Sequence, residues 1–414
     1  MGVPVLLRLI LVIEMNLCSS AQAMVLPSNG NIYEANNFTD ANSAGFNHLT
    51  VHNETGDVYV GGINHLYRLN ENLELTVSVT TGPEYDKNDE AHDTFNKIIA
   101  LNYDHGDLIT CGGYQGVCQK RDLYNLSVTE TNDALVYVVA NNTYDSTVGF
   151  IAPHYHLGRV ILYVGTTSTS SGPGYPFVSG RQLRGNQIFE VFEDRRGSTG
   201  IFISLHLSST FRIRYVAGFG YNGYSYFLTT QKSSASSSDY ISKLVRVCQR
   251  TENNYFNSYT EVTLKCLNDS YNLAQAAYLT RPGQDLIQSM TLNDIEEVLF
   301  VTFAVGENDP PTPTTKSAIC MYKMSIIEIA FQDAAEGCML LDRVLEHTAS
   351  WMSGASCSGS LPNSFTASHI KGPAFCPQLE MQDGEVLIPV NLPTEIQLRT
   401  LNIYDNKCLR SRWD

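Results

Sequence analysis

One phrase recurs along this chain and limits its fold more than any bulk property does. A short apolar strand is followed by a turn rich in Gly, Asn or Asp, and then by a second strand that runs out into small residues. It occurs at 48–52 with 58–62, 97–101 with 108–112, 147–152 with 160–165, and 214–216 with 224–228. A fifth copy is read at 287–292, a turn at 293–296, and 298–301. Each copy has the form of a hairpin with turn residues at its tip. The copies recur every fifty to seventy residues or so, roughly the length of a four-stranded propeller blade with insertions. A β-sandwich seldom runs this long while restarting the same phrase. The pattern therefore predicts an all-β propeller.

Composition fits a large extracellular β domain. The chain has 414 residues, 43% hydrophobic and 17% charged, with 23 Tyr, 17 Phe and a net charge of −15. An acidic surface disfavours nucleic acid and anionic membranes as partners, because both are polyanions, and it also serves solubility. Residues 1–23 read as a signal peptide, with Arg8, an apolar stretch 9–13, and Ala21-Gln22-Ala23 before a mature start near Met24. Glu14 interrupts the apolar stretch. No later stretch approaches the ~20 apolar residues of a membrane span. Nine cysteines follow, with no zinc-type CxxC pair, which favours disulfides. Five N-x-[ST] acceptors, at Asn37, Asn53, Asn125, Asn141 and Asn268, agree with a secreted or cell-surface location.

Catalytic and cofactor motifs are weak. Residues 218–223 match G-x-G-x-x-G, but a strand-like Tyr224-Ser225-Tyr226-Phe227-Leu228 follows where a dinucleotide site needs a helix. His154 and His156 lack a third metal ligand nearby and read as loop residues. Glu193-Asp194 and Glu296-Glu297 read as solvated turns. No catalytic residue, cofactor site or metal site is assigned. The irregular stretches are 168–185, 231–240 and 306–315, the last with Pro310, Pro311 and Pro313. Residues 325–336 are the helix candidate, with Gly337 as its stop.

Particular phrases resemble plexins. Val58-Tyr59-Val60-Gly61-Gly62-Ile63-Asn64-His65-Leu66-Tyr67-Arg68-Leu69, followed by Thr81-Gly82-Pro83, resembles a plexin first blade. Thr110-Cys111-Gly112 and Gln115-Gly116-Val117-Cys118-Gln119 resemble the second, and Leu162-Tyr163-Val164-Gly165-Thr166-Thr167 the third. Tyr226-Phe227-Leu228-Thr229-Thr230-Gln231 resembles the fourth, and Gln275-Ala276-Ala277-Tyr278-Leu279-Thr280-Arg281-Pro282-Gly283 the fifth. The likeness runs from His48 to Cys376, and the A class is the most similar. It implies a sema-type β-propeller, seven-bladed in the family, of which about five blades stand here. It further implies an extracellular module that binds semaphorin, with a co-receptor as a further partner. Phe202, Ser358 and Ser360 fall where the family's ligand contacts lie. The pairing it implies joins Cys111 to Cys118, Cys248 to Cys376, Cys266 to Cys320 and Cys338 to Cys357.

The chain departs from the family in three places. Residues 84–94 hold no cysteine where plexins carry a pair. Sixth- and seventh-blade phrases do not follow Cys376. Residues 377–414, with Cys408, match nothing in the pattern. The expected division is therefore a signal peptide at 1–23, sema blades at 24–376 and a divergent tail at 377–414. Such an incomplete ring is expected to expose apolar blade faces and associate, unless residues from 378 onward supply a strand. The reading is a binding module rather than an enzyme, with a propeller glycosidase as the alternative. Chain-entropy arguments give ~2.5 kcal/mol for the Cys111–Cys118 loop and ~5 kcal/mol for the Cys248–Cys376 loop. Non-reducing peptide mapping is expected to recover all four pairs, with Cys408 alkylated before reduction. A Cys111–Cys248 link rules the pairing out.

Overall fold

The structure is a computed structural model. It describes residues 27–341 and 401–403, apart from 29–30, 33–35, 42, 133–136, 168–175, 195–196, 204–206, 208–209, 251–257, 268–269, 291, 293–295 and 308–310. The proposed signal peptide therefore lies outside the described residues.

Among the described residues, five four-stranded antiparallel sheets follow one another along the chain. Blade 1 is Phe46–Val51, Val58–Gly62, His65–Leu69 and Leu75–Thr80. Blade 2 is Asn96–Asn102, Asp107–Gly112, Val117–Asp122 and Val128–Thr131. Blade 3 is Thr147–His154, Arg159–Thr166, Val178–Arg181 and Gly200–Ile201. Blade 4 is Arg214–Tyr221, Tyr224–Lys232, Tyr240–Cys248 and Thr260–Thr263. Blade 5 is Leu273–Thr280, Val298–Glu307, Thr312–Lys323 and Leu401–Ile403. The first strands of successive blades pack on one another from blade 1 to blade 5, as around a propeller axis.

The core is divided into layers between the blades. Tyr59 and Leu66 of blade 1 meet Ile99 and Leu108 of blade 2. Ile98 and Ile109 of blade 2 meet Leu162 and Val164 of blade 3. Tyr163 and Val178 meet Tyr215, Phe227 and Val245 between blades 3 and 4. Tyr226 and Leu244 meet Leu299, Val301 and Phe303 between blades 4 and 5. A sheet covered on both faces needs apolar residues on both, so Val58–Gly62 is buried at every position.

The small residues that close each phrase mark the blade-to-blade contact. Gly165 lies one residue before the end of the second strand of blade 3, and a Cβ there would collide with the Tyr215 and Phe227 rings of blade 4. Gly61 stands likewise against Ile99 and Asn96 of blade 2. These glycines are holes that receive the next blade's side chains.

Disulfides reinforce the scheme. Cys111 and Cys118 are a directly paired cross-strand bridge within blade 2. Cys266, just after blade 4, is bonded to Cys320 on the third strand of blade 5. Cys248 is disulfide-bonded as well. Cys376, Cys357, Cys408 and the Cys338 side chain lie outside the described residues.

Several expectations need correction. Residues 287–290 are not strand but belong to the short α-helix Gln284–Met290, and Leu273–Thr280 pairs with Val298–Glu307 instead. The Pro282-Gly283 step ends the strand, and the Gly283 carbonyl accepts from the Leu286 and Ile287 amides to start the helix. The helix Met324–Leu341 runs through Gly337, because apolar Cys338 to Leu341 continue it and one internal Gly costs only about 1 kcal/mol. Residues 306–315 are not all loop, since Pro313 pairs opposite Gly306 where the register shifts. Val178–Arg181 is a strand inside 168–185, and Lys232 pairs with Tyr240, leaving only 233–239 as loop in the 231–240 stretch. The tail also contributes structure, since Ser317, Ala318 and Ile319 pair with Ile403, Asn402 and Leu401.

Substituting Gly165→Ala is expected to cost ~1–3 kcal/mol through overpacking against Tyr215 and Phe227. Chemical denaturation of the purified chain reads this as a lower midpoint at unchanged slope.

Candidate protein-binding face

In a four-stranded meander the connections alternate between the two ends of the blade. The first-to-second and third-to-fourth turns share one end. The second-to-third turns share the other with the blade-to-blade crossings. At this crossing end, hydroxyls and carboxamides hold the chain where it leaves the sheets. The Asn64 Oδ1 accepts from the Thr94 amide at 2.7 Å. The Thr167 hydroxyl donates to the Ile213 carbonyl at 2.6 Å. The Ser242 hydroxyl donates to the Asn272 carbonyl and accepts from the Ala274 amide, both at 2.8 Å.

Phe202 stands at the crossing end, immediately after Gly200–Ile201. It is half-buried, and its ring lies over Gly200, where a Cβ would come within 3.2 Å of it. The following Ile203, Phe211 and Ile213 belong to the layer between blades 3 and 4. Phe202 is thus anchored on one side by the scaffold and open on the other. Ser358 and Ser360 lie outside the described residues.

Three tyrosines project from the same end: Tyr85 is 66% exposed, Tyr144 80% and Tyr114 36%. Exposed aromatics are enriched at protein–protein interfaces, because they offer large contact area at little entropic cost. Sequence reasoning missed them, because nothing in the chain pattern marks which connections share an end.

A cleft of about 590 Å³ opens between blades 4 and 5, lined by Ser238, Asp239, Tyr240, Ser242, Asn272 and Pro311 among others. A smaller cleft of about 250 Å³ at the opposite end is lined by Pro153, Tyr155, Tyr221, Asn222 and Gln249 among others. Elsewhere in blade 4, the Glu261 carboxylate is fully buried. It accepts from Lys243 Nζ at 2.7 Å, from Gln231 Nε2 at 3.1 Å and from the Tyr259 hydroxyl at 2.7 Å. Burial, followed by the Glu261 charge, pushes the Tyr259 hydroxyl well above its ordinary value.

The other flagged residues have local roles. His154 is buried and accepts from the Leu157 amide at 3.4 Å, capping the turn Tyr155–Leu157. The His156 side chain lies outside the described residues, as do those of Glu193 and Asp194. Glu296 accepts from the Ser325 amide at the start of the helix Met324–Leu341, a favourable place for a carboxylate. Residues 218–223 form the hairpin tip of blade 4, with Asn222 and Gly223 both at positive φ, as a tight two-residue turn requires. Asn37, Asn53 and Asn125 are exposed and Asn141 is half-buried. Asn268 lies outside the described residues.

No protein-family profile matches the chain. Among curated proteins, Plexin A3 of Danio rerio is 31% identical over 333 residues, which is 70% of this chain and 17% of the relative. Plexin-A2 of Mus musculus is 30% identical over 341 residues, covering 71% of this chain and 17% of the relative. Among solved structures, the plexin A4 extracellular region superposes at a TM-score of 0.67 with 28% identity, over 77% of this chain and 38% of that one. The chain belongs with the plexins through its sema region. It spans about a sixth of the length of the curated plexins it matches.

In this plexin-type region the cysteine-free segment 84–94 is a small hairpin pinned to blade 2. The Glu84 carboxylate accepts from the Tyr114 amide at 3.0 Å, and His92 stacks on the Tyr114 ring. No helix among the described residues is long and apolar enough to cross a membrane.

Removing one partner of the buried Lys243–Glu261 pair strands a charge at a cost of ~3–5 kcal/mol, whereas replacing both with apolar residues costs far less. Thermal melting is expected to show Glu261→Leu strongly destabilised and Lys243→Met/Glu261→Leu largely restored.

Proposed function

We propose that the chain is the semaphorin-binding sema region of a plexin-like receptor, working outside the cell as a binding module. The observation that carries this is the 31% identity to a plexin over 70% of the chain, together with a common propeller fold. The fully buried, ion-paired Glu261 agrees with it, because that carboxylate is spent on the scaffold and closed to a substrate. The sema region is assigned to 24–376, behind a signal peptide at 1–23, with glycans on Asn37, Asn53, Asn125, Asn141 and Asn268. The remaining assigned disulfides are Cys248–Cys376 and Cys338–Cys357. The partner surface is assigned to the crossing end around Phe202, Ser358 and Ser360 are assigned as further contact residues, and a co-receptor is a further partner.

Surface plasmon resonance against a panel of semaphorin ectodomains tests the assignment. One member of the panel is expected to bind across an interface of ordinary size, with a few aromatic or Arg anchors dominating. Phe202→Ala is expected to weaken binding by at least about tenfold, equivalent to about 1.4 kcal/mol. A bulky charge in Ser360→Arg is expected to do the same. Unchanged affinity in both variants moves the surface elsewhere, and no binding across the panel removes the semaphorin reading.

A further inference from the structure

The hairpin between blades 1 and 2 carries a cluster of ligand-type side chains that the semaphorin reading leaves unused. Glu84–Tyr85 pairs with Ala91–His92, with Glu84 opposite His92 and Tyr85 opposite Ala91. Extending that register sets Asp86 opposite Glu90, and the Asp86 amide donates to the Glu90 carbonyl at 3.0 Å. Side chains alternate along a strand, so Glu84, Asp86, Glu90 and His92 share one face, and Tyr85 and Ala91 the other.

The scaffold already holds this face in place. Glu84 is engaged by the Tyr114 amide of blade 2. The His92 ring stacks on Tyr114 with centroids 4.1 Å apart and planes at 15°, which fixes the imidazole's orientation. Asp86 Oδ1 accepts from the Asn88 and Glu90 amides at 2.8 and 2.9 Å. Oδ2 accepts from Asn88 Nδ2 at 3.3 Å and lies 3.8 Å from His92 Nε2. Nε2 is shielded from solvent and has no hydrogen-bond partner among the described residues. One ligand atom from each of Asp86, Glu90 and His92 lies within 4.8 Å of the other two.

We infer that Asp86, Glu90 and His92 form a binding site for one divalent zinc-type ion, tying together the two arms of the hairpin. Two carboxylates and an imidazole suit tetrahedral zinc, with water in the fourth position. Calcium takes oxygen ligands alone, whereas one of the three clustered ligand atoms here belongs to an imidazole. Ligand atoms about 3–3.5 Å apart surround a zinc ion with bonds of about 2.0–2.2 Å. The observed spacing therefore closes with small rotations of exposed Glu90 and half-buried His92.

The test is isothermal titration of the full, untagged, metal-stripped chain with zinc chloride and with calcium chloride, alongside hydrogen exchange of residues 84–92. Saturable binding of one zinc at this site, with slowed amide exchange in the hairpin, is expected. Glu90→Gln, an exposed position that leaves the fold intact, is expected to weaken zinc binding at least about tenfold, and His92→Asn likewise. Tyr85→Ser, on the opposite face of the hairpin, is expected to leave it unchanged. The inference fails if zinc does not bind saturably, if Glu90→Gln and His92→Asn bind as the parent chain does, or if only calcium binds. Semaphorin binding is read separately by resonance, so loss of either result leaves the other standing.

Discussion

The structure depends on blades docking sheet against sheet through holes left by small residues. A sheet of four strands is too narrow to enclose its own core, so each blade must bury both faces against its neighbours. Gly165 under Tyr215 and Gly61 against Ile99 are the points where that docking is closest. A side chain at either would hold two sheets apart along a whole layer. Apolar strands ending in glycine are the local sign of this requirement, and they follow from the geometry of stacked blades.

The docking leaves a second demand at the crossings, where the chain must leave one sheet and enter the next without stranding its amides and carbonyls. Unpaired buried backbone groups cost about 1–3 kcal/mol each. Here side chains satisfy them. Ser242 serves two backbone groups of the 272–274 segment, Thr167 serves Ile213, and Asn64 serves Thr94. Cys266–Cys320 adds a covalent tie between blades 4 and 5. Inter-blade cohesion is thus shared among apolar layers, short polar side chains and a disulfide, none of which lies within a single repeat.

Four of the five blades were legible because their first hairpin is written in consecutive residues, and apolar runs buried on both faces stand out from the polar turns between them. The fifth was misplaced. Ile287 to Leu292 has apolar spacing that suits a strand, and a helix of seven residues is too short for its period to declare itself. The true partner, Leu273–Thr280, is rich in Ala and looks weak as a strand until blade 4 and Val298–Glu307 cover it. The pairing of Leu401–Ile403 with Ser317–Ile319 was invisible for another reason. Nothing in a three-residue strand specifies a partner eighty residues away, so only the open edge of blade 5 selects it.

The candidate sites were less legible than the fold, and the cause is geometric. Strands buried on both faces have no freedom to carry function, so recognition falls to the connections. A meander sends alternate connections to opposite ends, and a sequence read linearly mixes the two ends together. Tyr85, Tyr114, Tyr144 and Phe202 belong to four separate connections, yet they stand at one end of the propeller. Asp86, Glu90 and His92 sit closer in sequence, but their common face appears only once Glu84 is known to lie opposite His92. Register, which the turn at 86–90 sets and the contact with Tyr114 holds, converts an ordinary acidic stretch into a directed set of ligands.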